Sequence, residues 1–270
     1  MPALTSIRTP IKALILGDSG LGKTGALWSL AAAGYNLKIY DADANANVLS
    51  SALRGNTKAL SRIEVCQFKD SLRINAEGFA TGAPKAWPNF LKGLLTQWPD
   101  SPADAKENVY TWGPDTVVVL DTLTSLGRAA LQNAMRIENK MGKVPEIQHY
   151  HTAGFQIKDT LSALMSDDVK CHVLVLTHVK YMDNDLGKMF GLPKAIGEKL
   201  SEDVPIFFNT MLALKRSNKK VVLSTKPTDM VQTKVEAFDN VKAEYDLIID
   251  GVGKPGLAEF FHDCGWEGVK

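Results

Sequence analysis

A glycine-rich segment near the start of the chain limits the possible folds more than any other feature. Residues 17–24 read Gly-Asp-Ser-Gly-Leu-Gly-Lys-Thr and satisfy the pattern Gly-x-x-x-x-Gly-Lys-Thr. An apolar run at 11–16 precedes the segment, and an Ala- and Leu-rich stretch at 24–33 follows it and stops at Gly34. A buried strand, a glycine loop and a helix in this order are typical of a phosphate-binding loop.

The residues of this phosphate loop have separate expected roles. Glycines allow consecutive backbone N–H groups to face phosphates at a helix N-terminus. We expect Lys23 to reach the β- and γ-phosphates of ATP and the Thr24 hydroxyl to ligate Mg²⁺. The predicted nucleotide-binding residues are Gly17, Asp18, Ser19, Gly20, Leu21, Gly22, Lys23, Thr24 and Gly25.

Strand-like and helix-like segments alternate along the rest of the chain. Apolar runs predict strands at 37–40, 63–68, 115–121, 171–177, 206–215 and 221–225. Helical spacing predicts helices at 87–98, 123–141 and 151–165. The alternation indicates an α/β fold with a mostly parallel central sheet flanked by helices, which the last strand pair extends antiparallel. We expect one domain over 1–270, with a core at about 11–225 and a C-terminal extension at about 226–270.

Acidic residues follow two of these strands, at the edge where a parallel sheet binds nucleotides. Asp121 ends the strand at 115–121, and we expect it to hold Mg²⁺, although a helix N-cap through Thr122 is the alternative. Asp41 and Asp43 follow the strand at 37–40. We predict that Asp43 is the base that activates water and that Asp41 braces the turn. The alternative is that both are solvated turn residues.

His178 follows the strand at 171–177, again at the nucleotide edge. We expect it to contact the γ-phosphate and to report its presence to the polar segment at 180–201, which the composition predicts to be a mobile loop and a short helix. The alternative is a histidine that only closes a strand. His149 and His151 lack further ligands at metal-binding spacing, so a structural role at a helix start is predicted.

A basic cluster lies at a predicted hairpin. The cluster is either a solvated turn or a source of cations for a neighbouring subunit's phosphates or a nucleic-acid backbone. Its members are Lys215, Arg216, Lys219 and Lys220.

Composition excludes several classes of protein. The net charge of +1 argues against a dedicated duplex-DNA-binding domain. No apolar stretch approaches the roughly 20 residues of a membrane span, and residues 1–9 lack the apolar core of a signal peptide. Three scattered cysteines have no metal-ligand spacing. We therefore expect a cytoplasmic protein with no membrane partner.

Four segments occur in a diagnostic order: the phosphate loop, Tyr-Asp-Ala-Asp-Ala-Asn at 40–45, Val-Val-Val-Leu-Asp-Thr-Leu-Thr-Ser-Leu at 117–126, and Val-Leu-Val-Leu-Thr-His-Val-Lys at 173–180. This set resembles the ATPase core of the RecA-like recombinases over residues 11–225. It is similar to the small phage nucleotide-binding proteins that accompany single-strand annealing or recombination genes.

The resemblance implies ATP and Mg²⁺ as ligands, single-stranded DNA as a partner, homo-oligomers and a recombination or annealing partner protein. Asp43 matches the family's catalytic carboxylate, which is more often glutamate, and His178 matches its γ-phosphate switch, often glutamine. Residues 181–199 match its mobile DNA-binding loop. The residues implied to contact DNA there are Lys180, Lys188, Lys194 and Lys199, with Tyr181 and Phe190 to stack on bases.

Two rival functions remain open from the sequence. A nucleotide-dependent switch or assembly ATPase would use the segment after His178 to bind a protein rather than DNA. A helicase or packaging motor is the third possibility, but such motors usually need extra domains, for which little chain is left.

Overall fold

The computed structural model describes residues 9–99, 101–102, 104–183, 189–228, 230–235 and 240–269. Most of the strands in this part of the chain form one nine-stranded sheet, and the others form two small hairpins. In chain order the strands are β1 (Lys12–Leu16), β2 (Asn36–Asp41), β3 (Ile63–Gln67), β4 (Arg73–Ile74), β5 (Ala80–Thr81), β6 (Thr116–Asp121), β7 (His172–Thr177), β8 (Val179–Asp183), β9 (Met189–Pro193), β10 (Thr210–Ser217), β11 (Lys220–Ser224), β12 (Glu244–Ile249) and β13 (Val252–Gly253).

The large sheet has the order β13-β12-β11-β10-β1-β7-β6-β2-β3. Every pair from β3 to β10 is parallel, and every pair from β10 to β13 is antiparallel. The predicted α/β class is therefore confirmed, including the antiparallel C-terminal strands. β7 lies between β1 and β6, so the strand before the phosphate loop and the strand that ends in Asp121 are separated by one strand.

Helices cover both faces of this sheet, as alternating apolar residues on the parallel strands require. Ala13 and Ile15 of β1 pack in the core on one face, whereas Leu14 and Leu16 pack in the core on the other. None of the helices in the described residues is both long and apolar enough to cross a membrane. The helices are α1 (Lys23–Ala26), α2 (Trp28–Ala32), α3 (Val48–Ala52), α4 (Thr57–Leu60), α5 (Ala86–Leu95), α6 (Leu123–Ile137), α7 (Ile147–Met165), α8 (Glu198–Asp203) and α9 (Gly256–Asp263).

The segment expected to be a mobile loop after His178 is instead a hairpin in its described part, because β8 and β9 pair antiparallel before α8 begins. Gly191 permits the close packing of this hairpin. A Cβ atom there would lie 2.6 Å from a Val179 methyl carbon and 2.9 Å from one of Val231. Val231 is distant in sequence, so local composition could not reveal the contact.

Other element boundaries also differ from the sequence prediction, and the helix predicted at 123–141 ends at Ile137. The strand predicted at 206–215 begins at Thr210, because Pro205 lies in a 3₁₀ turn at Val204–Phe207. The helix predicted from 151 begins at Ile147, where Glu146 and His149 form a reciprocal capping box. The structural role predicted for His149 is thereby identified.

The junction between α9 and β12 is packed backbone to backbone. A Cβ atom at Gly256 would lie 2.3 Å from the Asp246 carbonyl oxygen. We predict that Gly256→Ala lowers the free energy of unfolding by about 1–3 kcal/mol, since backbone atoms must shift to admit the methyl group. Urea unfolding of the purified variant measures the change.

Gly154 provides the matched control. It lies within α7 with nothing within 4 Å of an added Cβ. Gly154→Ala should raise the free energy of unfolding by about 0.5–1 kcal/mol through helix propensity. Equal effects of the two substitutions would contradict the packing described at Gly256.

Candidate functional site

The phosphate loop connects β1 to α1 at the carboxyl edge of the parallel strands. Its first amide is fixed to the sheet, because Gly17 N donates to Thr177 O at 3.2 Å. Gly20 and Gly22 have φ values of 76° and 81°, a left-handed conformation that glycine adopts without a steric penalty. These two glycines bend the loop around a cleft of about 270 Å³. Lys23, Thr24, Asp43, Asp121 and His178 all line this cleft.

Lys23 is buried beneath the loop, with 7% of its surface exposed. Its Nζ donates to Gly17 O at 2.8 Å and to Asp18 O at 3.0 Å. Burial lowers the pKa of Lys23, and the nearby carboxylates, Asp121 foremost, partly oppose that shift. The ammonium group therefore lies at the centre of the loop, where it can face an anionic ligand.

Thr24 and Asp121 are joined across the sheet. Thr24 Oγ1 donates to Asp121 Oδ2 at 2.6 Å, which links the start of α1 to the end of β6. Burial, together with the negative charges of Asp41 and Asp43, raises the pKa of Asp121 to about 6, although the Thr24 hydrogen bond and Lys23 oppose the shift. A hydroxyl and a carboxylate oxygen side by side are the hard ligands that Mg²⁺ prefers.

Asp41 braces the turn after β2, as the sequence predicts. It is fully buried, and its carboxylate accepts hydrogen bonds from the backbone N–H groups of Asp43, Asn45 and Ala46 at 3.1, 3.3 and 3.0 Å. These three bonds occupy both of its oxygens. Asp41 therefore holds the loop that presents Asp43 and is not itself available to a substrate.

Asp43 lies in the wall of the cleft beside the phosphate loop. Its Oδ2 accepts from Thr122 Oγ1 at 3.2 Å, and its Oδ1 accepts a short hydrogen bond from Ser125 Oγ. A carboxylate has about four acceptor sites, so two hydroxyl donors orient the group and leave acceptor capacity free. Both donors come from the first turn of α6, where Thr122 is the N-cap.

His178 lies directly above Lys23, with 3.3 Å between its Nδ1 and Lys23 Nζ. An ammonium group only donates, so Nδ1 is the acceptor and the ring proton is on Nε2. Burial, followed by the charge of Lys23, lowers the pKa of His178 and favours this neutral form. The His178 carbonyl accepts from Lys194 N at 2.7 Å, which joins it to the end of the β8–β9 hairpin.

The hairpin also contacts the phosphate loop, because Tyr181 OH donates to Asp18 Oδ2 at 3.2 Å. Of the residues implied to contact DNA, Lys180 forms an ion pair with Glu198 at 3.0 Å, and Tyr181 is exposed. Phe190 is half-buried on the same hairpin, whereas Lys194 and Lys199 are exposed after it. Lys188 lies outside the described residues.

The basic cluster at β10 and β11 is mostly paired within this chain. The lysines contact carboxylates of the β12 region: Lys215 with Glu244 at 3.6 Å, Lys219 with Asp250 at 3.8 Å and Lys220 with Asp246 at 2.6 Å. Arg216 instead donates to the Gly20 carbonyl oxygen at 3.3 Å. One cation of the cluster therefore touches the phosphate loop of its own chain.

Sequence reasoning missed the partners of the site residues. Ser125, the Tyr181–Asp18 contact and the Arg216–Gly20 contact were not anticipated. The run Thr-Leu-Thr-Ser after Asp121 was a usable signal for the first of these, because hydroxyl residues in the first helical turn can reach the neighbouring strand end. The other two contacts join segments more than 160 residues apart and have no local signal.

The part of the chain that the structure describes contains no group of three or more His, Cys, Asp or Glu residues able to hold a metal ion. Thr24 and Asp121 therefore offer an incomplete metal site, which phosphate oxygens of a bound nucleotide would have to complete.

No protein-family model matches the chain, and no curated protein matches it significantly. Among solved structures, the chain is similar to an ATPase from the type III secretion system of pathogenic bacteria. The TM-score is 0.42 and the sequence identity 12%, over 77% of this chain and 53% of that one. The chain thus spans about half the length of that ATPase. A likeness this distant does not identify a function.

The raised pKa of Asp121 predicts how the stability of the folded protein depends on pH. Its pKa is raised from 3.8 to about 6, so folding disfavours its ionised form. The contribution of protonated Asp121 to the free energy of unfolding is fully present below the ordinary aspartate pKa. It is lost as the pH rises through about 6. Because 1.36 kcal/mol corresponds to one pKa unit, the loss at neutral pH is about 3 kcal/mol. Asp121→Asn should therefore unfold at a higher urea concentration than wild type at neutral pH without nucleotide or Mg²⁺.

The same variant should gain less stability from added ATP with Mg²⁺ than wild type, because a carboxylate that could ligate the metal is missing. Wild type and Asp121→Asn are compared by urea unfolding without nucleotide, at neutral pH and in acid below the ordinary aspartate pKa. The difference between their free energies of unfolding should vanish in acid. A difference that persists there would show that Asp121 affects stability by a route other than its buried charge.

Proposed function

We propose that this protein binds ATP with Mg²⁺ and hydrolyses it to ADP and phosphate. One observation carries the proposal: Lys23, the Thr24–Asp121 pair and Asp43 converge on one cleft at the carboxyl edge of the sheet. A buried ammonium group, a hydroxyl–carboxylate pair and a hydroxyl-oriented carboxylate are the groups that phosphoryl transfer to water requires.

Each residue has a defined task in this reaction. Lys23 and the amides of the phosphate loop neutralise and orient the β- and γ-phosphates. Thr24 Oγ1 and Asp121 would hold Mg²⁺, which offsets the charge on phosphate oxygens when bound. Asp43 accepts a proton from water as the new O–P bond forms and the bond from the γ-phosphorus to the bridging oxygen breaks. His178 stays neutral, so its Nε2–H can donate to the γ-phosphate while Nδ1 accepts from Lys23.

The finer assignment is an oligomeric ATPase that acts on single-stranded DNA in phage-type recombination or annealing, with a partner protein of that process. The order of the four sequence segments supports it. So does the path from His178 through Lys194 to the β8–β9 hairpin, because a change at His178 can alter the hairpin that would meet the DNA. Arg216 and its neighbouring lysines are the candidates for a cation supplied between subunits.

A nucleotide-dependent assembly ATPase or protein switch is the second candidate. The hairpin favours it in one respect, because Lys180 is already paired with Glu198 while Tyr181 and Met189 expose apolar surface. A surface of this kind suits a protein partner as well as a nucleic acid.

Lys23→Ala tests the ATPase assignment. Loss of the ammonium group should lower the rate of ATP hydrolysis at least about a hundredfold, since a preorganised cation at the transferred phosphate is removed. Phosphate release is measured with and without single-stranded DNA, with Lys170→Ala as a control at an exposed lysine. Wild-type turnover in Lys23→Ala would overturn the site. Wild-type turnover that ignores DNA would favour the assembly or switch function.

Asp43→Asn separates binding from chemistry. The amide oxygen can accept from one of the Thr122 and Ser125 hydroxyls and the amide NH₂ can donate to the other, but the amide cannot take a proton from water. ATP binding, measured by displacement of a fluorescent analogue, should stay within about threefold of wild type, while turnover falls about a hundredfold or more. Asp159→Asn on the exposed face of α7 is the matched control. Normal turnover in Asp43→Asn would exclude Asp43 as the base.

A further inference from the structure

Two further cavities lie beyond Asp43, and they share lining residues with the cleft and with each other. The first, of about 380 Å³, shares Asp43 with the cleft and is lined by Ser125 and Arg128 of α6 and by Lys69. The second, of about 440 Å³, shares Lys69 with the first and passes Lys85 and Lys92 along α5. We call the two cavities the basic groove and define it by Lys69, Lys85, Lys92 and Arg128.

The four cations of the basic groove are exposed, and among the described residues none has a carboxylate partner within 4.0 Å. Asp70 also lines the groove, but its Oδ1 accepts from the backbone N–H groups of Lys85 and Ala86 at 2.6 and 2.8 Å. Asp43 is the other carboxylate in the lining, so four cations face two carboxylates in the groove. The groove retains an excess of positive charge although the chain is nearly neutral.

Other groups in the groove indicate what kind of anion it suits. The amides of Gln67 and Asn89 line it, and these side chains can donate to phosphate or sugar oxygens, whereas Gln97 Nε2 already donates to the Ser101 and Pro102 carbonyl oxygens. Phe68 and Trp98 also reach the lining but are only 5% and 3% exposed, so their rings cannot stack on bases. Volumes of about 440 and 380 Å³ are those of pockets that hold one small ligand, which suits one nucleotide unit of a single strand in each cavity.

We propose that the basic groove binds the sugar–phosphate backbone of a single-stranded nucleic acid, independently of base sequence. This proposal rests on the proposed function and adds to it a binding surface for the strand that is separate from the β8–β9 hairpin. It also connects that surface to the nucleotide cleft. Ser125 lines the groove and donates to Asp43, and Asp43 lines both the groove and the cleft.

Charge reversal in the groove tests the proposal. Binding of fluorescently labelled oligo(dT) is measured by anisotropy over a range of salt concentrations, for wild type and for Lys85→Glu with Lys92→Glu. Affinity should fall about tenfold or more in the variant. Log affinity falls linearly with log salt, and the magnitude of this negative slope should be about 1.4 smaller in the variant. Two phosphate contacts are lost, and each contributes about 0.7 on a single strand.

Two further variants keep the result interpretable. Lys58→Glu with Lys170→Glu makes the same charge change at the opposite, amino end of the strands, and its affinity should stay within about twofold of wild type. Lys85→Gln with Lys92→Gln removes the same two cations without adding a carboxylate beside Asp70. Its affinity should also fall about tenfold, so the proposal stays testable even where the Glu variant does not fold.

ATP turnover without nucleic acid should be unchanged in the groove variants, which separates failure of the groove from failure of the ATPase. Labelled oligo(U) in place of oligo(dT) distinguishes RNA from DNA, and tight binding of either supports the groove. The proposal is wrong if wild type binds neither, if the groove variants bind as tightly as wild type, or if polyglutamate or duplex DNA competes as well as unlabelled oligo(dT).

Discussion

The buried ammonium group of Lys23 is the constraint on which the site depends. A charge taken out of water must be hydrogen-bonded and balanced by opposite charge. The carbonyl oxygens of Gly17 and Asp18 meet the first requirement, and they can do so because Gly20 and Gly22 turn the loop back over the side chain. The shape of the loop therefore determines where the lysine ammonium group lies.

The sheet topology places carboxylates near the Lys23 ammonium group, and these carboxylates balance its charge. β7 lies between β1 and β6, and Thr24, at the start of the helix after β1, nevertheless donates to Asp121 at the end of β6. Asp41 is in register with Asp121 on the adjacent β2. Carboxylates gathered at one edge repel one another, which contributes to the raised pKa of Asp121. Binding of a divalent cation beside Thr24 would relieve this repulsion, so ligand binding and stability are coupled at the site.

Much of this arrangement could be predicted from sequence because it is local. The strand, loop and helix around residues 17–24 follow from glycine positions and apolar runs, and the bracing role of Asp41 follows from turn chemistry. Contacts between distant segments had no such signal. The Ser125–Asp43 hydrogen bond, the packing of Gly191 against Val231 and the addition of β12 to the sheet depend on tertiary structure that no short window of sequence contains.

The first turn of α6 lies between the nucleotide cleft and the basic groove and contributes a residue to the lining of each. Thr122 caps this helix and donates to Asp43 from the side of the nucleotide cleft. Ser125, in the same turn, donates to the same carboxylate from the side of the basic groove. A small rotation of this turn changes both hydrogen bonds together, since the two hydroxyls are on one rigid element. Asp43 lines both cavities, so a ligand in either of them would lie beside the group proposed to activate water.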